Sequence, residues 1–191
     1  MKSNSERNVI HAIVLGDDMV GKTCMAHTKL NYKFNEDYIP TIFENFEIKH
    51  KVGDEDFTIS LFDTAGLQHH RNLRSFVYGR CQVIIMCYSV CDKDSYQNVV
   101  DYWMPEVIAE TRGLKPIILV GMQADTRGIV FPELEVDQEL GHKLAKQIGA
   151  DNYLECSALT KEGVNSVFNN VVYSALKIRK KGSFLKRIFG R

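Results

Sequence analysis

Six short apolar or β-prone stretches recur along the chain, and amphipathic stretches separate most of them. The apolar stretches are residues 9–15, 83–88, 117–120 and 153–156, and the β-prone stretches are residues 44–52 and 56–62. Short apolar or β-branched runs bounded by turn residues are typical of strands. Helical periodicity is found over residues 22–32, 94–111, 133–148 and 164–180. The pattern therefore predicts six strands that alternate with helices.

This alternation predicts an α/β fold with a doubly wound, six-stranded and mostly parallel sheet that carries helices on both faces. Gly53 and Asp54 lie between the second and third stretches, which favours a hairpin and one antiparallel edge strand. Pro105 is expected to interrupt its helix. In such a sheet, a phosphate ligand is expected at the carboxyl ends of the strands.

Composition limits the chain to one domain in a reducing compartment. Its 191 residues, 45% of them hydrophobic, suffice for one well-buried core. Five cysteines without paired spacing argue against a disulfide framework or a zinc site. Residues 1–8 are polar and are expected to be disordered, and no stretch is long and apolar enough to predict a membrane span.

The segment that follows the first strand carries a phosphate-binding motif. Residues 16–23 have the spacing G-x-x-x-x-G-K-[ST], in which backbone N–H groups surround phosphates and a lysine reaches the outer two. Gly16 and Gly21 permit the loop because glycine adopts positive φ without strain. Residues 63–66, Asp-Thr-Ala-Gly, end the third stretch. Together these motifs predict a P-loop NTPase that binds a nucleoside triphosphate.

Further motifs follow in an order that resembles the Ras superfamily of small GTPases. They are Phe34, Tyr38-Ile39-Pro40-Thr41, Asp63-Thr64-Ala65-Gly66, Asp125 and Cys156-Ser157-Ala158-Leu159. The chain most resembles the Rho family, through residues 38–45, 103–107, 116–121 and 153–159. The resemblance implies a G domain over residues 9–177, followed by a separate tail over residues 178–191.

The resemblance implies GTP or GDP and Mg²⁺ as cofactors. Thr23, Thr41 and Asp63 are the implied magnesium residues, and Asp125 would accept hydrogen bonds from guanine that adenine cannot supply. The implied nucleotide-binding residues are Gly16, Asp18, Val20, Gly21, Lys22, Thr23, Cys24, Phe34, Tyr38, Thr41, Asp63, Gly66, Gln123, Asp125, Ser157, Ala158 and Leu159.

Two departures from the family pattern concern hydrolysis. Asp18 replaces a glycine, places a carboxylate beside the γ-phosphate and fills the space through which an arginine finger would enter. Leu67 replaces the glutamine that orients the attacking water, and leucine has no donor or acceptor. Gln68 is a possible substitute, but the shift by one residue points its side chain elsewhere. We therefore expect slow turnover and assign no catalytic residue.

A third departure lies in residues 122–125, where Met-Gln-Ala-Asp replaces Asn/Thr-Lys-x-Asp. Gln123 is shorter than the lysine and neutral, which predicts weaker binding and faster exchange. Alternatively, its methylenes still cover the guanine at little cost. Only 31 residues separate Asp125 from Ser157, which predicts a shortened form of the helical insert that is typical of Rho proteins.

The resemblance also implies a surface for effector proteins. Its expected members are Tyr38, Ile39, Pro40, Thr41, Ile42, Phe43, Glu44, Asn45, Phe46 and Leu73. Phe76 belongs either to this surface or to the core. His69 and His70 are adjacent, which could suggest a metal site or a pH switch. The favoured interpretation is that both are solvated side chains. We expect exchange factors as further partners, no nucleic acid, and a monomer.

The tail has a strongly basic composition although the whole chain has a net charge of zero. Residues 177–191 contain seven basic and no acidic side chains, and the sequence ends without the cysteine of a C-a-a-X box. Phe184, Leu185, Ile188 and Phe189 have helical spacing. This predicts peripheral attachment of a cytoplasmic protein to an anionic plasma membrane or endomembrane. A solvated tail and an import or partner-binding segment are alternatives.

The sequence thus predicts a Rho-like GTP-binding switch that is mainly GTP-bound and acts on actin, polarity or membrane traffic. An ordinary cycling GTPase is the first alternative. A scaffold that binds no nucleotide is the next alternative. The presence of the motif residues argues against it, and these are Lys22, Thr23, Thr41 and Asp63. A P-loop kinase would leave Asp125 without a role.

Overall fold

The strands form one mixed sheet. The computed structural model describes residues 8–33, 41–66, 70–129 and 132–189. Within those residues the strands are β1 (Val9–Leu15), β2 (Phe43–Val52), β3 (Glu55–Thr64), β4 (Val83–Ser89), β5 (Ile117–Met122) and β6 (Asn152–Glu155). Their order is β2-β3-β1-β4-β5-β6, and every neighbouring pair except β2 and β3 is parallel. The predicted fold class is confirmed.

The hairpin between β2 and β3 provides the antiparallel edge. Phe43 pairs with Thr64 at one end and Val52 with Glu55 at the other. Gly53 has φ 60° in the connecting turn, a conformation that glycine adopts without strain. The long hairpin joins the segment at Thr41 to the segment at Asp63, both of which the sequence assigns to magnesium.

Helices cover both faces of the sheet. They are α1 (Lys22–Lys29), α2 (Arg71–Tyr78), α3 (Lys93–Asn98), α4 (Met104–Thr111), α5 (Gln138–Ile148) and α6 (Val164–Phe189). Short 3-10 turns are formed by Ala124–Thr126 and Pro132–Leu134. Helix α2 lies where the sequence pattern predicts no helix. The pattern also predicts that α5 begins at 133, but Asp137 caps the helix by accepting a hydrogen bond from the Leu140 N–H at 2.7 Å.

The expected interruption near Pro105 takes the form of a π-helical turn over Val99–Trp103, directly before α4. Proline has no N–H for the regular helical ladder, so the interruption lies on its amino-terminal side. The turn joins α3 to α4 and buries Trp103 completely. This helical segment contacts both the phosphate-binding loop and helix α2.

The core lies in two layers, one on each face of the sheet. Ala12 and Val14 of β1 face a layer that includes α1 and α6, whereas Ile13 and Leu15 face the layer under α2 to α5. All seven residues of β4 are buried, as expected for a central parallel strand. The carboxyl ends of β1, β3, β4 and β5 consequently meet at one edge, where the predicted phosphate motifs lie.

Candidate functional site

The phosphate loop follows β1 at this edge and opens α1. Gly16 has φ 136°, and a Cβ there would lie 2.1 Å from the carbonyl oxygen of Cys87. No other residue fits so close to β4. Lys22 Nζ donates to the carbonyl oxygens of Gly16 at 2.9 Å and Asp17 at 2.7 Å, so its ammonium lies beneath the loop. Burial lowers the pKa of Lys22, although the nearby charge of Asp63 opposes this shift.

Three oxygen-bearing side chains from separate segments meet beside the loop. Thr23 Oγ1 lies 2.9 Å from Thr41 Oγ1 and donates to Asp63 Oδ2 at 2.5 Å. The other carboxylate oxygen of Asp63 is buried without a hydrogen-bond partner. Burial raises the pKa of Asp63, and the hydrogen bond from Thr23 opposes this. Hydroxyl and carboxylate oxygens, one of them unsatisfied, fit Mg²⁺, which prefers oxygen ligands and few carboxylates.

The peptide bond between Ala65 and Gly66 is held at both ends. The Gly66 N–H donates to Asp18 Oδ1 at 2.7 Å, and the Ala65 carbonyl accepts from Arg74 Nη1 at 3.0 Å. A Cβ on Gly66 would lie 2.3 Å from the backbone nitrogen of Asp18, so the close approach requires glycine. The resemblance implies that in the family this N–H donates a hydrogen bond to the γ-phosphate. In this chain it donates to a carboxylate of the protein itself.

Arg74 belongs to a buried network that sequence reasoning missed. Its guanidinium is fully buried and donates to both carboxylate oxygens of Glu106 at 2.7 Å. Tyr78 also donates to Glu106 at 2.7 Å, and the Arg74 guanidinium lies 4.8 Å from the Trp103 ring centre. Burial would raise the pKa of Glu106, but the hydrogen bonds from Arg74 and Tyr78 lower it below its usual value. This ion pair fixes α2 against α4.

The π-helical turn fixes the phosphate loop from the other side. Trp103 Nε1 donates to Asp17 Oδ1 at 2.7 Å, and Asn98 Nδ2 donates to Asp17 Oδ2 at 2.6 Å. Asp17 had no role assigned from the sequence. The segment from α3 to α4 therefore makes two connections to the site. Trp103 holds Asp17 of the loop, and Glu106 holds Arg74, which in turn holds the peptide after Ala65. We call the loop, Thr41, Asp63 and Gly66 the phosphate end of the site.

The base end of the site is formed by residues 122–125 and 157–159. Gln123 Nε2 donates to the Met19 carbonyl at 3.0 Å, while its Oε1 accepts from Ser89 Oγ at 2.6 Å. The neutral side chain thus reaches the phosphate loop. Met122 is buried, and its Cε would lie 3.7 Å from a Cβ on Gly21. Gln123 and Met122 thus lie against the phosphate loop without contributing a charge.

Asp125 lies half-buried in the 3-10 turn beside the loop after β6. The Ala124 N–H donates to the Cys156 carbonyl at 3.2 Å, which joins the two segments. Thr28 Oγ1 of α1 donates to the Ala158 carbonyl at 2.8 Å. Ser157 is buried, and its Oγ accepts from the Thr160 N–H at 3.0 Å, whereas Leu159 is exposed. These motifs, far apart in sequence, converge at one end of the phosphate loop.

Of the other expected contacts, Val20 is buried and Cys24 is half-buried. Burial raises the pKa of the Cys24 thiol, which keeps it protonated at neutral pH. Several expected positions lie outside the described residues: Phe34, Tyr38, Ile39, Pro40, Leu67, Gln68, His69 and most of residues 1–8. In the described part of the chain, no cluster of three or more histidine, cysteine or acidic side chains could hold a metal.

The expected effector surface is mostly exposed where the structure describes it, and part of it is apolar. Ile42 and Phe43 at the start of β2 are 60% and 41% exposed, and Leu73 and Phe76 of α2 are 42% and 78% exposed. Phe76 is therefore a surface residue and not part of the core. Phe46 differs from the expectation, because it is half-buried, packs on the core and makes an edge contact with His27. Glu44 and Asn45 are exposed.

Helix α6 continues into the predicted tail as far as Phe189. The predicted apolar stripe over residues 184–189 concerns side chains outside the described set. Over the described residues, none of the helices combines the length and hydropathy that crossing a bilayer requires.

A comparison with known families agrees with this arrangement. The model of the Ras family matches residues 11–177, which includes the phosphate loop, Thr41, Asp63 and Gly66, the base end and most of the core. Proteins of this family are small GTPase switches that bind GTP or GDP with Mg²⁺, and the oxygen cluster at Thr23 and Asp63 fits that ion. The chain belongs to the Ras family of small GTPases.

Proposed function

We propose that this chain is a Rho-like GTP-binding switch that hydrolyses GTP slowly and is mainly GTP-bound in cells. The position of the Asp18 carboxylate carries the proposal, because it lies 2.7 Å from the Gly66 N–H. In this superfamily the space beside that N–H receives the terminal phosphate and the arginine of an activating protein. A carboxylate there repels the phosphate charge and obstructs the arginine.

Leu67 adds to the same effect. Its side chain can neither donate nor accept a hydrogen bond, so it cannot orient the attacking water. Arginine fingers raise hydrolysis rates by about 10³ to 10⁵ in this superfamily. Losing the water-orienting group and obstructing the finger removes most of that acceleration.

Nucleotide binding is retained in this proposal. Lys22 would contact the β- and γ-phosphates from its place beneath the loop, and Thr23, Thr41 and Asp63 would hold Mg²⁺, which neutralises phosphate charge when bound. The Gln123 amide contacts Met19 of the phosphate loop, which supports the view that glutamine replaces the family lysine at little cost. Asp125 would select guanine.

The exposed apolar side chains beside the site support a docking surface for effectors. Ile42 lies directly before β2, and Phe43 is the first residue of that strand. Leu73 and Phe76 are exposed on α2. We place the function in signalling to actin, polarity or membrane traffic, with exchange factors as further partners, on the strength of the Rho resemblance. The basic tail would attach the protein peripherally to an anionic plasma membrane or endomembrane.

Single-turnover hydrolysis of GTP, measured with and without a Rho-type activating protein, tests the central proposal. We expect the activating protein to accelerate turnover by less than a tenth of its effect on an ordinary family member run in parallel. Comparable acceleration would instead identify an ordinary cycling GTPase. Nucleotide recovered from natively expressed protein gives a second measure, and mainly GDP would contradict a GTP-bound resting state.

Removal of residues 183–191 tests membrane attachment. We expect the shortened protein to leave vesicles that contain anionic lipid and to redistribute in cells. An unchanged distribution would refute the attachment.

A further inference from the structure

The hydrogen bond between Asp18 and Gly66 joins two segments that are 48 positions apart in the chain. The acceptor is a carboxylate oxygen of the phosphate loop, and the donor is the backbone N–H that begins the segment leading to α2. A carboxylate oxygen and a phosphate oxygen are both anionic acceptors for an N–H group. The chain therefore supplies, from its own sequence, the type of acceptor that a terminal phosphate would supply.

We propose that the Asp18 carboxylate is a built-in substitute for the γ-phosphate, one that keeps Gly66 and α2 in place with either GDP or GTP bound. This proposal rests on the proposed GTP-binding function and extends it to regulation of the same site. Its consequence is that the α2 part of the effector surface no longer depends on the number of phosphates.

Each partner of this bond is positioned by further contacts besides the bond itself. On the loop side, Trp103 and Asn98 hold the carboxylate of Asp17, the residue before Asp18. On the other side, Arg74 holds the Ala65 carbonyl, which belongs to the same rigid peptide unit as the Gly66 N–H. Because the loop beside Asp18 and the peptide of Gly66 are already held, less conformational entropy is lost when the bond forms.

The arrangement also predicts a cost for GTP. The Gly66 N–H has one proton to donate, so the Asp18 carboxylate and a γ-phosphate compete for it, and the two anions repel each other. Binding of GDP brings no such competition. The chain should therefore prefer GTP over GDP less strongly than a variant that has glycine at position 18.

Amide hydrogen exchange at Gly66, followed by NMR of ¹⁵N-labelled protein, tests the substitution directly. The protein is compared in its GDP form and in its β,γ-imido-GTP form, together with Asp18→Gly and Asp18→Asn. For the unchanged protein we expect the two forms to exchange within about twofold of each other. For Asp18→Gly we expect the GDP form to exchange at least about tenfold faster than the imido-GTP form, since hydrogen bonds to charged groups stabilise by roughly that factor or more.

Asp18→Asn separates the hydrogen bond from the charge. Its amide oxygen still accepts, so we expect partial protection of Gly66 in the GDP form. Asp54→Gly, at the exposed turn between β2 and β3, is the matched control and should leave Gly66 unchanged. Fast exchange of Gly66 in the GDP form of the unchanged protein would overturn the proposal, as would equal protection in Asp18→Gly.

Competition binding of GDP and imido-GTP provides a second readout. We expect Asp18→Gly to shift the affinity ratio about tenfold or more towards the triphosphate. An unchanged ratio would contradict competition at Gly66. Neither measurement depends on hydrolysis, so a fast hydrolysis rate would refute the proposed function and leave this inference standing, and the reverse also holds.

Discussion

The base end and the phosphate end of the site both depart from the family motif, and the two substitutions have different physical consequences. At the base end, Gln123 is neutral and shorter than the expected lysine, yet its amide still donates to the Met19 carbonyl at 3.0 Å. At the phosphate end, Asp18 adds a charge, and its carboxylate accepts from the Gly66 N–H at 2.7 Å. The first change preserves a contact within the protein, whereas the second creates a contact in a place where a ligand would bind.

The difference shows why the size of a sequence change is a poor guide to its effect. Replacing lysine by glutamine removes a full charge, but a carbonyl needs only an N–H donor, and the amide provides one. Replacing glycine by aspartate adds few atoms, but these atoms are anionic and lie where the proposed function places the terminal phosphate. Predictions about the two ends therefore differ in size and in sign.

The largest expected effect belongs to the phosphate end. Asp18→Gly combined with Leu67→Gln should raise activator-stimulated single-turnover hydrolysis by about 10³ or more, because it opens the space for the arginine finger and restores the residue that orients water. Phosphate release under single-turnover conditions measures this. Each single variant is the control and should recover much less, since one obstacle remains. If the double variant stays as slow as the unchanged protein, the obstacle lies elsewhere.

The second effect concerns the buried ion pair that supports the phosphate end. Arg74→Met leaves the Glu106 carboxylate buried without its cation, which should lower the free energy of unfolding by about 3–5 kcal/mol. Urea unfolding of the GDP-bound protein measures the loss. Arg74→Met combined with Glu106→Leu should lose clearly less, because no charge is left unpaired. Equal losses in the two variants would mean that packing, and not charge, fixes α2.

The four inner strands, β1, β3, β4 and β5, were predictable from sequence because each is buried on at least one face. β4 is buried along its whole length, and an unbroken apolar run as short as residues 83–88 is typical of a strand inside a covered sheet. Helix α2 was missed because part of what fixes it is tertiary. Arg74 looks like a surface residue in the sequence, and only the fold brings it to Glu106, 32 positions away.

The candidate site likewise has a part that the sequence predicts and a part that depends on the fold. Local spacing indicates the phosphate loop, so residues 16–23 and Lys22 were identified from their motif alone. The bond between Asp18 and Gly66 was not foreseen, because the motif suggests a carboxylate near the γ-phosphate but not which donor it contacts. The contact of Gln123 with Met19 was likewise open, since it depends on a left-handed backbone at Gln123, with φ 60°, that the sequence does not indicate.

The third prediction tests whether glutamine does replace lysine at the base end. Gln123→Ala removes the donor to Met19 and should speed release of fluorescent GDP by about three- to tenfold, the usual value of one hydrogen bond. Gln123→Lys should stay within about twofold of the unchanged protein. Gln97→Ala, at an exposed position of α3, is the matched control. A large slowing of release in Gln123→Lys would mean that the neutral side chain weakens binding after all.

The smallest effect is expected one step further from the nucleotide. Ser89 Oγ donates to Gln123 Oε1 at 2.6 Å and so orients the amide whose other end contacts Met19. Ser89→Ala should speed GDP release by about two- to threefold, less than Gln123→Ala, because the donor to Met19 remains and only its orientation is lost.

Ser174→Ala removes an equally buried hydroxyl from α6, far from the base end, and should affect unfolding but not release. Ser89 Oγ also accepts from the Cys91 N–H at 3.2 Å, so the double variant tests whether the effect on release passes through Gln123. We expect Ser89→Ala with Gln123→Ala to release GDP no faster than Gln123→Ala alone. Additive effects would show that Ser89 supports the phosphate loop by another route, and the base end would then be held by more than the single amide of Gln123.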